Sequence, residues 1–200
     1  MFPIELASAM TGATRAQLYS WCRKGLLVPE YGTQPYAYSF RDLIALRTVA
    51  RLRSDVPLQK IRKALRHLEE RDLTDHPSAY RLIVVGGEVV LLDGEDLEEL
   101  TGRPGQFLVA LHDLYSPFTN FRGDSVVDFR RPRAHLEVRE QRLGGWPTLA
   151  DSRLPYDLIA RYAEGSTPEV VRRFYPTASL PAIRDAVDFH QQVTGEVAAA

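Results

Sequence analysis

Arg15, Gln17, Tyr19, Ser20, Arg23 and Lys24 crowd six polar side chains into ten residues. They contain no nucleophile–base pair and no metal-ligand set. They are cations and hydrogen-bonding groups, the chemistry that engages phosphate oxygens and base edges. On a helix over Arg15–Lys24 they take one side, while Leu18, Trp21 and Cys22, spaced at 0, +3 and +4, form the apolar stripe opposite.

Other chemistries lack their parts. His67, His76, His112, His135 and His190 are scattered, with no H-E-x-x-H or other ligand pair. There is no phosphate loop, no G-x-G-x-x-G and no nucleophile elbow. The acidic run Asp93, Glu95, Asp96, Glu98, Glu99 has no glycine-centred calcium loop around it and is expected to be a solvated face. Cys22 is the only cysteine, which excludes an intramolecular disulfide and an all-cysteine metal site; its place on the apolar stripe makes it a small core residue. The expectation is a protein with no catalytic residue, no metal and no cofactor.

The polar helix needs elements to hold it. Pro3–Met10 predicts a short helix, Thr11-Gly12-Ala13 a turn, Thr14 the N-cap of the second helix and Gly25 its C′ residue. Two short helices about a glycine-containing turn make a helix-turn-helix, whose second helix enters a major groove. Tyr31–Phe40 predicts a turn and an aromatic strand of the size of a wing. Ser39 or Phe40 leads into a helix over Arg41–Arg53, Ser54-Asp55-Val56-Pro57 breaks it, and Leu58, Ile61, Leu65 and Leu68 mark a helix over Leu58–Arg71.

This stretch, IELASAMTGATRAQLYSWCRKGLLVPE followed by YAYSFRDLIALRTVARLRSDVPLQKIRKAL, resembles the winged-helix domain of MerR-type transcription regulators over residues 3–68. Ala7, Gly12, Leu18, the Gly25-Leu26-Leu27-x-Pro29 block, Tyr38-Ser39-Phe40 and Leu58-x-x-Ile61 carry the resemblance. It departs at Tyr19-Ser20-Trp21, where the family usually has Arg-Tyr-Tyr after the leucine, so two hydroxyls stand where an Arg and an aromatic hold DNA. The resemblance implies double-stranded DNA as partner. Thr14, Arg15, Gln17, Tyr19 and Ser20 are expected in the groove, and Arg23, Lys24, Tyr36 and Arg41 at the backbone. Charge agrees: residues 1–71 carry twelve Lys/Arg against six Asp/Glu, and residues 72–200 thirteen against twenty, within a formal net charge of −1.

The helix over 58–71 spans only about two heptads, short of a sustained coiled coil. A homodimer is therefore expected to be held by residues 72–200. YRLIVVGGEVVLL (80–92) predicts a hairpin turning at Gly86-Gly87, apolar enough that the chain itself or a second subunit must cover both faces. DGEDLEELTGRPG predicts a short acidic helix closed by Gly102, and QFLVALHDL (106–114) fits strand or helix. Val126–Phe129 and His135–Glu140 are expected strands around the basic turn Arg130–Arg133. Three helices follow: one entered through Asp151–Pro155 and ending at Gly165, one capped by Thr167, one capped by Ser179.

The tail, through Gly145-x-Pro147, Arg153-x-Pro155, Gly165-x-Thr167-x-Glu169, Tyr175 and Ile183-x-x-Ala186, resembles a small bacterial domain found in VapB-type antitoxins and in genes next to PIN-like nuclease toxins. Asp151-Ser152 stands where that family commonly has Gly-Thr. The expected fold is α+β: a winged helix-turn-helix over 1–71, a β-hairpin-rich linking and dimerisation segment over 72–136, and a small three-helix unit over 137–200. The expected function is a non-enzymatic, DNA-binding antitoxin that represses its own operon and neutralises a PIN-like nuclease toxin. The alternative is a MerR-type regulator with no toxin partner, responding to a ligand held among Tyr115, Phe118, Phe121 and Trp146. No apolar run reaches membrane-spanning length and no signal-peptide pattern opens the chain, so a cytoplasmic location is expected.

Overall fold

Thr14 and Gln17 close a reciprocal cap: the Thr14 hydroxyl accepts the Gln17 N–H at 3.2 Å, and Gln17 Oε1 accepts the Thr14 N–H at 2.7 Å. That cap starts α2 (Arg15–Arg23), which follows α1 (Ile4–Thr11) across the Gly12 turn. The computed structural model describes residues 1–70, 73, 75–93, 96–99 and 114–195. Ser39 and Asp42 form a second reciprocal cap at the start of α3 (Phe40–Asp55), and α4 (Leu58–Glu70) runs after the Val56-Pro57 break. Of the aromatic run before α3, only β2 (Ala37–Tyr38) is strand, paired antiparallel with β1 (Phe2–Pro3).

β3 (Leu82–Val85) and β4 (Glu88–Asp93) form the expected hairpin, with Gly86 and Gly87 both at positive φ. Adjacent Val89 and Val90, which point to opposite faces, are both fully buried. The hairpin is therefore covered on both faces within one chain, with α3 beside β3 and α4 beside β4. β5 (Asp96–Glu99) stands where an acidic helix was expected. It pairs antiparallel with β4, Leu92 opposite Leu97, satisfying a ladder that helix propensity takes no account of.

The two later strands shrink as well. Only β7 (Ser125–Val126) and β8 (Leu136–Glu137) are strand, paired with β6 (Phe118–Thr119) and β9 (Thr148–Leu149). Between them Asp128 Oδ1 accepts the N–H groups of Arg130 and Arg131, a local turn that competes with a ladder. Residues 106–113 of the QFLVALHDL stretch lie outside the described residues. The chain closes with α5 (Tyr156–Ala163), α6 (Pro168–Phe174) and α7 (Leu180–Thr194).

One hydrophobic core runs through all of this, from Leu6, Leu18 and Leu43 through Leu91 and Phe129 to Ile183 and Phe189. At its centre α3 is buried all round: every residue from Asp42 to Ala50 is buried, including Arg47 at 0% exposure. The Arg47 guanidinium donates to the carbonyls of Met10 (2.7 Å), Leu114 (2.7 Å), Tyr115 (3.2 Å), Ser116 (2.8 Å) and Val127 (2.8 Å). The rings of Phe118 and Phe129 lie 5.1 and 5.6 Å from it. Arg47→Met is expected to lower unfolding free energy by about 3–5 kcal/mol, since it strands several desolvated carbonyls. Urea unfolding would measure this, and a loss below about 1 kcal/mol would show that those carbonyls find other donors.

Candidate nucleic-acid interface

The polar side of α2 divides into two halves. Toward its C-terminal end, Tyr19 is exposed and meets the edge of Tyr36 at 4.8 Å, so the turn before β2 leans on the helix. Partial desolvation pushes the Tyr36 phenol up, with Cys22 adding to the effect and the nearby Arg23 cation opposing it. Cys22 is half-buried beside this pair. Ser20 is half-buried as well, while Arg23 and Lys24 are exposed. Neither cation has a hydrogen bond or ion pair among the described residues. This half presents two phenols, a hydroxyl and two available cations on one surface, a set suited to phosphates and base edges.

The N-terminal half is engaged by bonds within the chain. Thr14 and Gln17 use their oxygens on each other's N–H groups. Arg15 is exposed but donates to the carbonyls of Val193 (3.2 Å) and Thr194 (3.4 Å), at the C-terminus of α7. There the helix dipole favours a cation, and Glu5 adds a contact at 3.9 Å. The Gly12 turn is packed under the central segment. A Cβ on Gly12 would meet Val126 Cγ2 at 2.4 Å, and Asn120 Nδ2 donates to Gly12 O at 3.1 Å. Gly12 is thus required both by its φ of +78° and by the strand lying on it.

Arg41 is exposed but already paired. Its Nε donates to Glu30 Oε1 at 2.7 Å, and Nη2 binds the same oxygen. The guanidinium is the largest reason the Glu30 carboxyl is pulled down to about 2. A depressed carboxylate stabilises the fold above its unfolded pKa and loses that contribution as pH falls toward the folded value, so the pair is intact throughout the neutral range. Next to it, buried Asp42 uses Oδ2 to accept the N–H groups of Glu30 (3.0 Å) and Ser39 (2.8 Å), and its Oδ1 lies 3.1 Å from His76 Nε2. Glu30, Asp42 and His76 are the one cluster of three metal-ligand types among the described residues. Arg41 and two backbone donors already satisfy its oxygens, so the cluster acts as a weld between the turn, α3 and the segment before β3.

Of the nine residues expected at DNA, the structure gathers Tyr19, Ser20, Arg23, Lys24 and Tyr36. It ties Thr14 and Gln17 into the cap, Arg15 to α7 and Arg41 to Glu30. The four rings named for a ligand each lie against other side chains, and Phe121 is exposed. Tyr115 sits on Phe129, Phe118 under Arg47 and Arg51, Phe121 under Arg53, and Trp146 between Phe2 and Tyr156. Glu30 and the α7 terminus escaped the sequence reading. Glu30 stands one residue after the Gly25–Pro29 block that marks the helix end. Nothing local points to Val193 and Thr194.

Residues 2–68 match the family model of the MerR HTH family regulatory protein. No curated protein and no solved structure gives a significant match to the chain. The family match supports a MerR-type helix-turn-helix for the head, with DNA binding and transcription regulation as its class of function, a class that is not enzymatic. Among the described residues, no helix is long and apolar enough to cross a membrane.

Glu30→Gln should release Arg41 for a phosphate. The salt dependence of DNA binding, the slope of log K against log [salt], is then expected to steepen by up to about 0.9. Fluorescence anisotropy across a salt series would measure it, and an unchanged slope would place Arg41 away from the duplex.

Proposed function

We propose that the protein is a DNA-binding transcription regulator that reads duplex DNA with the C-terminal half of α2 and the Tyr36 turn. The observation that carries this reading is the available Arg23–Lys24 pair beside Tyr19 and Tyr36, on a segment that matches the MerR-type family. Arg15 joins the groove contacts only by exchanging the α7 carbonyls for DNA. Thr14 and Gln17 then serve mainly to cap the helix, Ser20 adds its hydroxyl to the contact surface, and Arg41 contributes once freed from Glu30.

A homodimer fits this reading, because helix-turn-helix proteins meet paired half-sites with two-fold symmetry. With α4 at 13 residues, less than two heptads, residues 72–200 are the part that would hold the pair. Phe174, 70% exposed, and Tyr162 leave apolar surface on α5 and α6 for such a contact. The resemblance of the tail to VapB-type antitoxin domains supports the finer reading of an autorepressing antitoxin whose body neutralises a PIN-like nuclease toxin in the cytoplasm. The acidic balance of residues 72–200 would speed its encounter with a basic partner. A ligand-responsive regulator without a toxin is the second reading, favoured by the cleft described below.

One full-length variant separates these activities. Arg23→Ala/Lys24→Ala should weaken binding to all DNA sequences alike and flatten the salt slope by up to about two units per head, while the protein still sediments as a dimer and still protects cells from an adjacent nuclease toxin. An unchanged slope would refute the assignment of these cations to the DNA backbone. Loss of protection in a folded variant would refute the division of labour between head and body.

A further inference from the structure

A cleft of about 680 Å³ opens between α4, the end of α2 and the segment leading to β3. Leu26, Leu65, Leu68 and Tyr80 supply apolar lining. Arg62 and Arg66 line it from successive turns of α4, and Lys24 from the end of α2. Like charges four residues apart on a helix repel, so two arginines at i and i+4 are unfavourable unless something anionic lies between them. The carboxylates on the rim, Glu69 and Asp75, form no ion pair with these cations among the described residues. Among the described residues, three cations, Lys24, Arg62 and Arg66, line the cleft beside two carboxylates, Glu69 and Asp75.

Arg62 supplies the specific feature. Its Nε and Nη2 are shielded from solvent and have no hydrogen-bond partner among the described residues. These two nitrogens share one edge of the guanidinium, the side-on fork that grips a carboxylate or phosphate with two parallel N–H···O bonds. An arginine whose bidentate edge is withdrawn from water and unmet by protein is incomplete in the way a ligand would complete. The Tyr80 hydroxyl accepts the Asp75 N–H at 2.8 Å, which fixes the aromatic ring in the lining.

We propose that this cleft binds a small amphipathic anion, an oxyanion headgroup on an apolar or aromatic body, with the headgroup on the Arg62 fork and the body between Leu65 and Tyr80. The lining mixes Leu26, Leu65, Leu68 and Tyr80 with the cations Lys24, Arg62 and Arg66, which suits a small molecule that has both an apolar and an anionic part. Because Lys24, Gly25 and Leu26 end α2, an occupant would touch the helix assigned to DNA and couple the two sites. That coupling rests on the DNA-binding reading, whereas anion binding itself does not.

The test titrates the full-length protein with phenyl phosphate, benzoate, inorganic phosphate and phenol at fixed ionic strength, following backbone amide NMR shifts. Saturable shifts are expected for phenyl phosphate or benzoate at Lys24–Leu26, Arg62–Glu69 and Asp75–Tyr80, with the tighter of the two identifying the headgroup. Inorganic phosphate and phenol should each bind at least about tenfold more weakly, since each supplies half of the recognition. Arg62→Lys keeps the charge but loses the fork, and is expected to weaken binding by about tenfold. Absence of saturable shifts, shifts mapping elsewhere, inorganic phosphate binding as tightly as phenyl phosphate, or unchanged affinity in Arg62→Lys would each overturn the proposal. The shift map on the natural chain decides even if the variant fails to fold. DNA affinity measured alongside distinguishes failure here from failure of the DNA-binding reading.

Discussion

A guanidinium cannot enter a protein interior without partners for its donors, and Arg47 enters completely. Its partners come from α1 and from two stretches some 67 to 80 residues further along the chain, at Leu114–Ser116 and Val127. Satisfying this one side chain therefore fixes α3 against the central segment, and much else follows. Strand β7 is drawn over the Gly12 turn closely enough that a Cβ there would collide with Val126. Phe129 is brought between Phe40 and Tyr115, at ring separations of 5.7 and 5.8 Å. Gly145 packs so tightly on Phe40 that its Cβ would lie 2.2 Å from the ring. The head is held by the body at the level of single atoms.

That arrangement changes how the basic head presents itself to an anionic polymer. Charge counted along residues 1–71 overstates the field a duplex would meet. Arg47 is spent in the core, Arg41 on Glu30 and Arg15 on the α7 terminus. The electrostatic reach of α2 is left to Arg23 and Lys24, at the C-terminal end of the helix. On the proposed reading, two phosphate contacts per head would give a weak, salt-dependent interaction, which a two-fold dimer would double. The same geometry puts the α2 terminus beside the Arg62 cleft, so the proposed DNA surface and the proposed ligand site share Lys24.

Local chemistry was legible in the sequence. The Thr14 cap, the Ser39 start of α3 and the Ser179 start of α7 are each set by a side chain bonding a backbone N–H three residues on, which needs no distant partner. The Gly86-Gly87 turn is legible for the same reason. Strand extents were misread because a ladder depends on its neighbour. β5 exists because β4 offers an edge, while Asp128 diverts Arg130 and Arg131 from a ladder. Least legible were the contacts of Arg47 and Arg15, because their acceptors are backbone carbonyls, which every residue carries and no sequence pattern marks. The apolar saturation of α3 was the available hint: DLIALRTVA has too few polar residues for a half-exposed helix.

The union of head and body is the claim on which the rest depends, and native-state hydrogen exchange tests it most directly. If Arg47 welds them, slow amides in α1, α3, the Phe118–Phe129 segment and α7 should open together, with one common free energy and one common denaturant dependence. Amides of α1 and α3 that open at a distinctly lower free energy, while those of the central segment and α7 stay protected, would show that the head unfolds by itself and would contradict the account.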